Sequence, residues 1–177
     1  LSPIKRRLYL YRIKTRMSKY YTPTAINKKN ATYNLIFGER SNGKTYALLL
    51  KGLKNYVKTK KQMAYVRRWK EDITGRRASR LFEGINANGE VEKATKGEFK
   101  GICYWAGKWY LCNYDEKGKA VFSDTDIICF AFSLSDGEHD KSTSFPNVGI
   151  IIFDEFLTNR LYLNDEFILF MNTVSTI

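Results

Sequence analysis

The 177-residue chain is short of several things, and each shortage removes a class of protein. Its three cysteines, Cys103, Cys112 and Cys129, are an odd number without C-x-x-C spacing. They read as reduced thiols rather than a disulfide framework or zinc site. The single histidine, His139, lies in a polar stretch and is assigned no role. No apolar run approaches the ~20 residues that span a bilayer, and there is no secretory segment. A soluble, cytoplasmic protein with no membrane partner is the expectation. Acids are scarce too, with 18 Asp and Glu against 30 Lys and Arg, a net charge of +12 and a pI near 9.6. Such an excess accompanies binding to nucleic acid or an anionic surface, although charge alone does not choose between them.

What is present is organised around YNLIFGERSNGKTYALLLKGL, residues 33–53. Gly38 to Thr45, GERSNGKT, fits the phosphate-binding pattern G-x-x-x-x-G-K-[ST]. Tyr33 to Phe37 reads as a short buried strand leading into it. Tyr46, Leu49, Leu50, Leu53 and Val57 recur at helical spacing after it. Strand, glycine loop and helix stand in the order an anion site requires. The glycines permit the turn, and backbone N–H groups and the helix dipole favour phosphate. The predicted nucleotide cradle is Gly38, Glu39, Arg40, Ser41, Asn42, Gly43, Lys44, Thr45 and Tyr46. Lys44 would reach phosphate and Thr45 would ligate Mg2+. Tyr20 to Thr24, just ahead, is a weaker candidate to lie beside an adenine ring.

The second motif is VGIIIFDEF, residues 148–156. Ile150 to Phe153 reads as a central parallel strand, and adjacent carboxylates at its end are costly unless they have a role. With a phosphate loop in the same chain, Asp154 is the predicted metal carboxylate. Glu155 is the predicted catalytic group that polarises the attacking water. ATP and Mg2+ are the implied cofactors.

Other segments carry weaker signals. Residues 1–30 form a basic, acid-free stretch containing Lys5, Arg6, Arg7, Arg12, Lys14, Arg16, Lys19, Lys28 and Lys29. It reads equally as a nucleic-acid-contacting arm or a poorly ordered terminus. Gln62 to Val66 is a second strand, ending in Arg67, Arg68, Trp69 and Lys70 at the edge where open α/β sheets hold ligands. A solvated charge run is the equal alternative. A short helix is expected over Arg76 to Phe82. Residues 84–123, rich in aromatics and with turn signals at Asn88-Gly89, Ala106-Gly107 and Lys117-Gly118, are expected to form an inserted antiparallel β-subdomain. Its aromatics more readily hold a small sheet together than stack on bases. Asp126 to Leu134 returns to a buried-strand pattern, and a final helix begins near Asp165.

NLIFGERSNGKTYA, AYVRRWK, the Trp- and Gly-containing hairpin region and PNVGIIIFDEF stand in this order over most of residues 20–177. In that combination the chain resembles the genome-packaging ATPases of phi29-like tailed phages, relatives of the FtsK/HerA-type translocases. The resemblance implies a three-layer α/β P-loop NTPase of the additional-strand, catalytic-glutamate type, occupying residues 31–177. The implied function is an ATP-hydrolysing motor that translocates double-stranded DNA into a procapsid. The implied partners are DNA, the portal or connector, neighbouring subunits in a homo-oligomeric, pentameric ring, and a structural RNA whose involvement the sequence leaves open. The implied location is the host cytoplasm, at the procapsid portal vertex. Arg67, Arg68 and Lys70 are implied nucleotide or subunit-junction contacts. The family pattern continues beyond residue 177 into a trans-acting arginine, a further core strand and a nuclease-like domain, so a truncated ATPase domain is expected. Arg40 and Arg160 are then the candidates to supply catalytic positive charge within the chain. Two other functions stay open: a different nucleic-acid motor, such as a helicase or conjugation ATPase, or a non-enzymatic nucleic-acid-binding module with a vestigial loop.

Overall fold

The computed structural model describes residues 20–29, 31–39, 41–136, 145–158 and 161–177. The basic stretch 1–19, Arg40, His139 and Arg160 lie outside the described residues. The chain divides into two compact units, residues 1–48 and 49–177, with the division inside a helix.

The first unit holds a one-turn helix α1 (Thr24–Asn27) and the start of α2 (Lys44–Thr59). The strand expected over Tyr33 to Phe37 is not formed. That segment is unassigned, with Tyr33 56% and Phe37 41% exposed and Leu35 and Ile36 half-buried. A strand exists only as half of a ladder. Among the described residues every ladder lies within residues 62–153, so apolar sequence alone does not make residues 33–37 a strand.

The second unit is built on a mixed six-stranded sheet, three of whose five pairings are antiparallel. After α2 come β1 (Gln62–Arg67), then α3 (Gly75–Arg80), α4 (Glu83–Ala87) and α5 (Glu90–Thr95). The antiparallel strands β2 (Gly101–Trp105), β3 (Lys108–Tyr114) and β4 (Ala120–Val121) follow. The unit closes with β5 (Ile127–Ser133), β6 (Val148–Phe153) and α6 (Glu166–Thr176). The order is β2-β3-β5-β1-β6, with β4 on β3, so β6 is not the central strand that its apolar run suggests: among the described residues it pairs with β1 alone and stands at the edge. β1 runs parallel to both β5 and β6, with Val66 level with Phe132 and Phe153.

The region expected to be an inserted β-subdomain is different in two respects. Its first twelve residues are largely helical. Asn88-Gly89 turns one short helix into the next, with Gly89 at φ +63 and Ile85 and Val91 buried. A turn signal is the same whether strands or helices meet at it. The strands that follow are an extension of the central sheet, because β3 pairs with β5. The β2–β3 turn at Ala106 and Gly107 has positive φ at both residues, as a tight primed hairpin requires. The edge strand β2 is covered by Asn86, which donates to Ile102 O (2.8 Å) and accepts from Ile102 N (2.9 Å).

Period-two alternation gives the sheet two faces. On one, Trp109 is 1% exposed, touches the rings of Tyr65, Phe82 and Tyr104, and donates from its indole N–H to Ala78 O (2.9 Å). This tryptophan is a core residue, not a base-stacking surface. On the same face Gly52 of α2 lies so close to Met63 that a Cβ would fall 1.7 Å from its sulfur. The opposite face presents Ala64, Val66, Phe132 and Leu134, with Phe153, Leu169 and Phe170 packed on them. Phe153 stacks on Phe170 of α6 at 5.0 Å.

Candidate functional site

In the first unit, α2 begins at Lys44, and the loop before it winds through Ser41 (φ +58) and Gly43 (φ +82). Tyr21 N donates to Asn42 O (2.7 Å) and Ala47 N to Gly43 O (2.9 Å), tying down the end of the loop that enters α2. A Cβ on Gly38 would lie 2.8 Å from Asn42 Nδ2, so a side chain there would have to displace the Asn42 amide. Lys44 curls back into the loop, its ammonium donating to Gly38 O (2.9 Å), Glu39 O (2.5 Å) and Asn42 Oδ1 (3.0 Å). A lysine held by three acceptors within its own loop is placed where phosphate oxygens would compete for the same donors. Thr45 and Tyr46 occupy the first turn of α2, half-buried. The Tyr21 hydroxyl is buried with no hydrogen-bond partner among the described residues.

In the second unit the parallel pairing of β1 with β6 brings Arg67 and Arg68 to the same sheet edge as Asp154 and Glu155. The ladder ends with Asp154 N donating to Val66 O (3.2 Å). Tyr65, Arg67 and Asp154 share one face. There the Tyr65 hydroxyl donates to Asp154 Oδ2 (2.8 Å), and burial together with that carboxylate pushes the phenol pKa well above its ordinary value. Arg67 Nη2 pairs with Glu155 Oε2 at 2.6 Å and Asp72 Oδ2 at 3.4 Å, while Nη1 is 4.0 Å from Asp154 Oδ2. Burial works against the Arg67 charge, but Tyr65, Glu155 and Asp72 outweigh it and raise its pKa. Asp72 is also paired with Arg77. The result is three carboxylates gathered around one arginine, with the Glu155 side chain 66% exposed and Asp154 23%.

Arg68 faces the other way and is 5% exposed. Its fork engages Glu166 of α6 through Nε (2.5 Å) and Nη2 (2.7 Å), and it also donates to Glu155 O (3.3 Å) and Phe156 O (2.8 Å). Its cation stacks over Tyr162 at 4.8 Å. The Glu166 hydrogen bond leads the effects that raise the Arg68 pKa. Burial would raise that of Glu166, but Arg68 and the Leu163 N–H outweigh it and hold the carboxyl below its usual range. The Arg-Arg-Trp-Lys cluster is therefore not one site. Arg67 serves the carboxylates, Arg68 is internal, and Lys70 pairs with Asp136 near the surface (2.6 Å). Sequence reasoning missed Tyr65, Asp72 and Glu166, which are bland residues at unremarkable spacings; only strand pairing reveals them.

Residues 15–177 match the profile of the family described as Podovirus DNA encapsidation protein (Gp16). The chain is 25% identical over 163 residues to the DNA packaging proteins of Bacillus phages PZA and phi29, covering 90% of this chain. It is 28% identical over 147 residues to that of Bacillus phage B103. It spans 42% of the length of the PZA and phi29 proteins and 39% of the B103 protein. Its fold is similar to the crystal structure of the N-terminal domain of the DNA packaging ATPase from bacteriophage phi29, with a TM-score of 0.69 at 24% identity. That match covers 90% of this chain and 72% of that one. It is similar also to a chain of the phi29 viral genome packaging motor assembly, with a TM-score of 0.64 at 22% identity, over 90% of this chain and 43% of that one. The chain belongs to the podovirus DNA encapsidation protein family.

Proposed function

We propose that this chain carries the ATP-hydrolysing module of a viral DNA-packaging motor. The observation that carries the reading is the convergence of Asp154 and Glu155 with Arg67 at the carboxyl edge of the parallel strands, in a chain that also bears the Lys44 loop. The proposed type is a P-loop NTPase with a catalytic glutamate, related to the FtsK/HerA translocases, acting on ATP with Mg2+.

The residues fit that substrate. Gly38 and Gly43 place no side chain at two points of the loop, and the N–H groups at the start of α2 would meet an anion with the favourable end of the helix dipole. Lys44 and Thr45 are assigned to phosphate and metal, with the rest of the cradle, Glu39 to Asn42 and Tyr46, around them. Asp154 is assigned to the metal and Glu155 to the attacking water. Mg2+ would neutralise charge developing on the phosphates. Glu155 is the more exposed of the two carboxylates, and its tie to Arg67 must be exchanged for water before it can accept a proton. Arg40 is assigned the cis positive charge.

The whole protein is proposed to act as a ring, pentameric by the resemblance, at the portal vertex of a procapsid in the host cytoplasm, driving double-stranded DNA inward. The names of the relatives and of the motor assemblies support this. The role of a structural RNA belongs to the same proposal. The test is single-turnover hydrolysis by the full-length protein carrying Glu155→Gln. Nucleotide binding is expected to persist while the rate falls ~10²–10⁴-fold. Wild-type turnover in this variant would remove Glu155 from the chemistry.

A further inference from the structure

Glu155 is the residue at which β6 leaves the sheet, and it does so in the left-handed region, at φ +54. A non-glycine residue there is strained and persists only where its surroundings hold it. Two contacts hold it: its own N–H, which donates to Asp154 Oδ1 (3.0 Å), and Arg68. Arg68 donates to the carbonyls of Glu155 and of Phe156, the two groups that the turn removes from the ladder. The guanidinium can do this from a buried position because Glu166 neutralises it with a two-point contact and Tyr162 covers its plane. Glu166 in turn accepts from Leu163 N (3.2 Å) in the segment leading into α6. A chain of hydrogen bonds thus runs from the first turn of α6, through a buried arginine, to the backbone of Glu155.

We infer that Arg68 is a positioning residue for Glu155, clamping its strained backbone so that the carboxylate is aimed at the reacting water, with Glu166 as the counter-ion that fixes the clamp. The inference rests on the assignment of Glu155 to water activation. The neighbouring arginines act from opposite faces of the sheet. Arg67 holds the Glu155 side chain from one, and Arg68 holds its backbone from the other. A clamp of this kind acts on the rate and not on nucleotide binding, because the Arg68 donors are taken up by Glu166 and by the carbonyls of Glu155 and Phe156. It also makes the angle of α6 a determinant of turnover. A displacement of Glu166 would reach Glu155 through two hydrogen-bonded steps.

The experiment is steady-state ATP turnover by the full-length protein, with nucleotide affinity measured alongside. Arg68→Lys keeps the charge but loses the fork and the stacking. It is expected to lower kcat roughly 10- to 100-fold, as misplacement of a reacting group does, with KM unchanged within about twofold. Glu166→Gln, which keeps the shape and loses the counter-ion, is expected to lower kcat in the same sense. The decisive comparison is Arg68→Lys in a Glu155→Gln background, where no further loss is expected because the clamp has nothing left to aim. An equal further loss in that background would mean that Arg68 merely supports the fold, and would overturn the inference. Wild-type kcat in Arg68→Lys, with Glu155→Gln inactive, would overturn the clamp and leave the Glu155 assignment standing. Wild-type kcat in Glu155→Gln would overturn both.

Discussion

Arg67 Nη2 sits 2.6 Å from Glu155 Oε2, although 88 positions separate the two residues in the chain. The relationship is asymmetric. The Arg67 side chain is 14% exposed and serves three carboxylates, whereas Glu155 is 66% exposed and reaches Arg67 from solvent. Glu155→Gln is therefore expected to change unfolding free energy by only ~0–1 kcal/mol, the range of exposed pairs. Arg67→Ala strips the common cation from Asp72, Asp154 and Glu155 and is expected to cost more, about 2–4 kcal/mol. Urea denaturation of both variants checks the ordering. A Glu155→Gln protein as unstable as Arg67→Ala would make Glu155 a structural residue.

Lys44→Ala is expected to weaken nucleotide binding while leaving the fold intact. A charge-assisted contact to phosphate contributes ~1.5–3 kcal/mol, or about ten- to a hundredfold in affinity. Calorimetric titration with ATP and Mg2+ measures it directly. Unchanged affinity would take the loop out of the mechanism.

The charge of +12 leads to an expectation about DNA. Duplex binding should be nearly independent of sequence and should weaken steeply with salt, with log K falling by roughly 0.9 per neutralised phosphate for each decade. Removing Leu1 to Lys19 deletes Lys5, Arg6, Arg7, Arg12, Lys14, Arg16 and Lys19 and should make that slope shallower. An unchanged slope would show that these residues stay away from the phosphates.

Gly52→Ala tests the packing of α2 on β1. The new methyl would fall 1.7 Å from the Met63 sulfur, and Met63 is fully buried. Overpacking of this kind costs about 1–3 kcal/mol. Trimming Met63 to Ala in the same chain should recover part of the loss, because the two changes share one space. Strict additivity of the two losses would argue against the contact.

The Arg68–Glu166 pair has an acid signature. Because the folded-state pKa of Glu166 lies below its ordinary 4.5, the pair's contribution is fully present above pH 4.5 and is lost as pH falls from there through the folded value. At neutral pH, Glu166→Gln is expected to be less stable than wild type by roughly 1–3 kcal/mol. The gap should narrow below pH 4.5. Denaturation curves at about pH 7 and about pH 3 decide it, and a gap independent of pH would show that the ionised carboxylate contributes nothing.

Much of this architecture was legible locally. Helical spacing from Tyr46 to Val57 marks α2, and the apolar runs at residues 62–66, 126–134 and 148–153 mark the three parallel strands. Ala106-Gly107 marks the hairpin. In each case the signal and the structure it specifies occupy the same few residues. Tyr33 to Phe37 reads like a strand by the same rule and forms none, because its ladder partner is not encoded in the segment itself. Residues 84–95 read as part of a sheet and are helical, because the turn at Asn88-Gly89 suits either structure.

Alternation along β1 already implies that Arg67 and Arg68 face opposite ways. Which of them meets the carboxylates and which meets α6 follows from which strand lies beside β1 and which helix covers its far face. Those are contacts between residues 87 to 98 positions apart. Local periodicity carries no record of such pairings; the folded sheet sets them by bringing the ends of β1 and β6 to one edge, where a charge left unpaired at the margin of an apolar core would be costly.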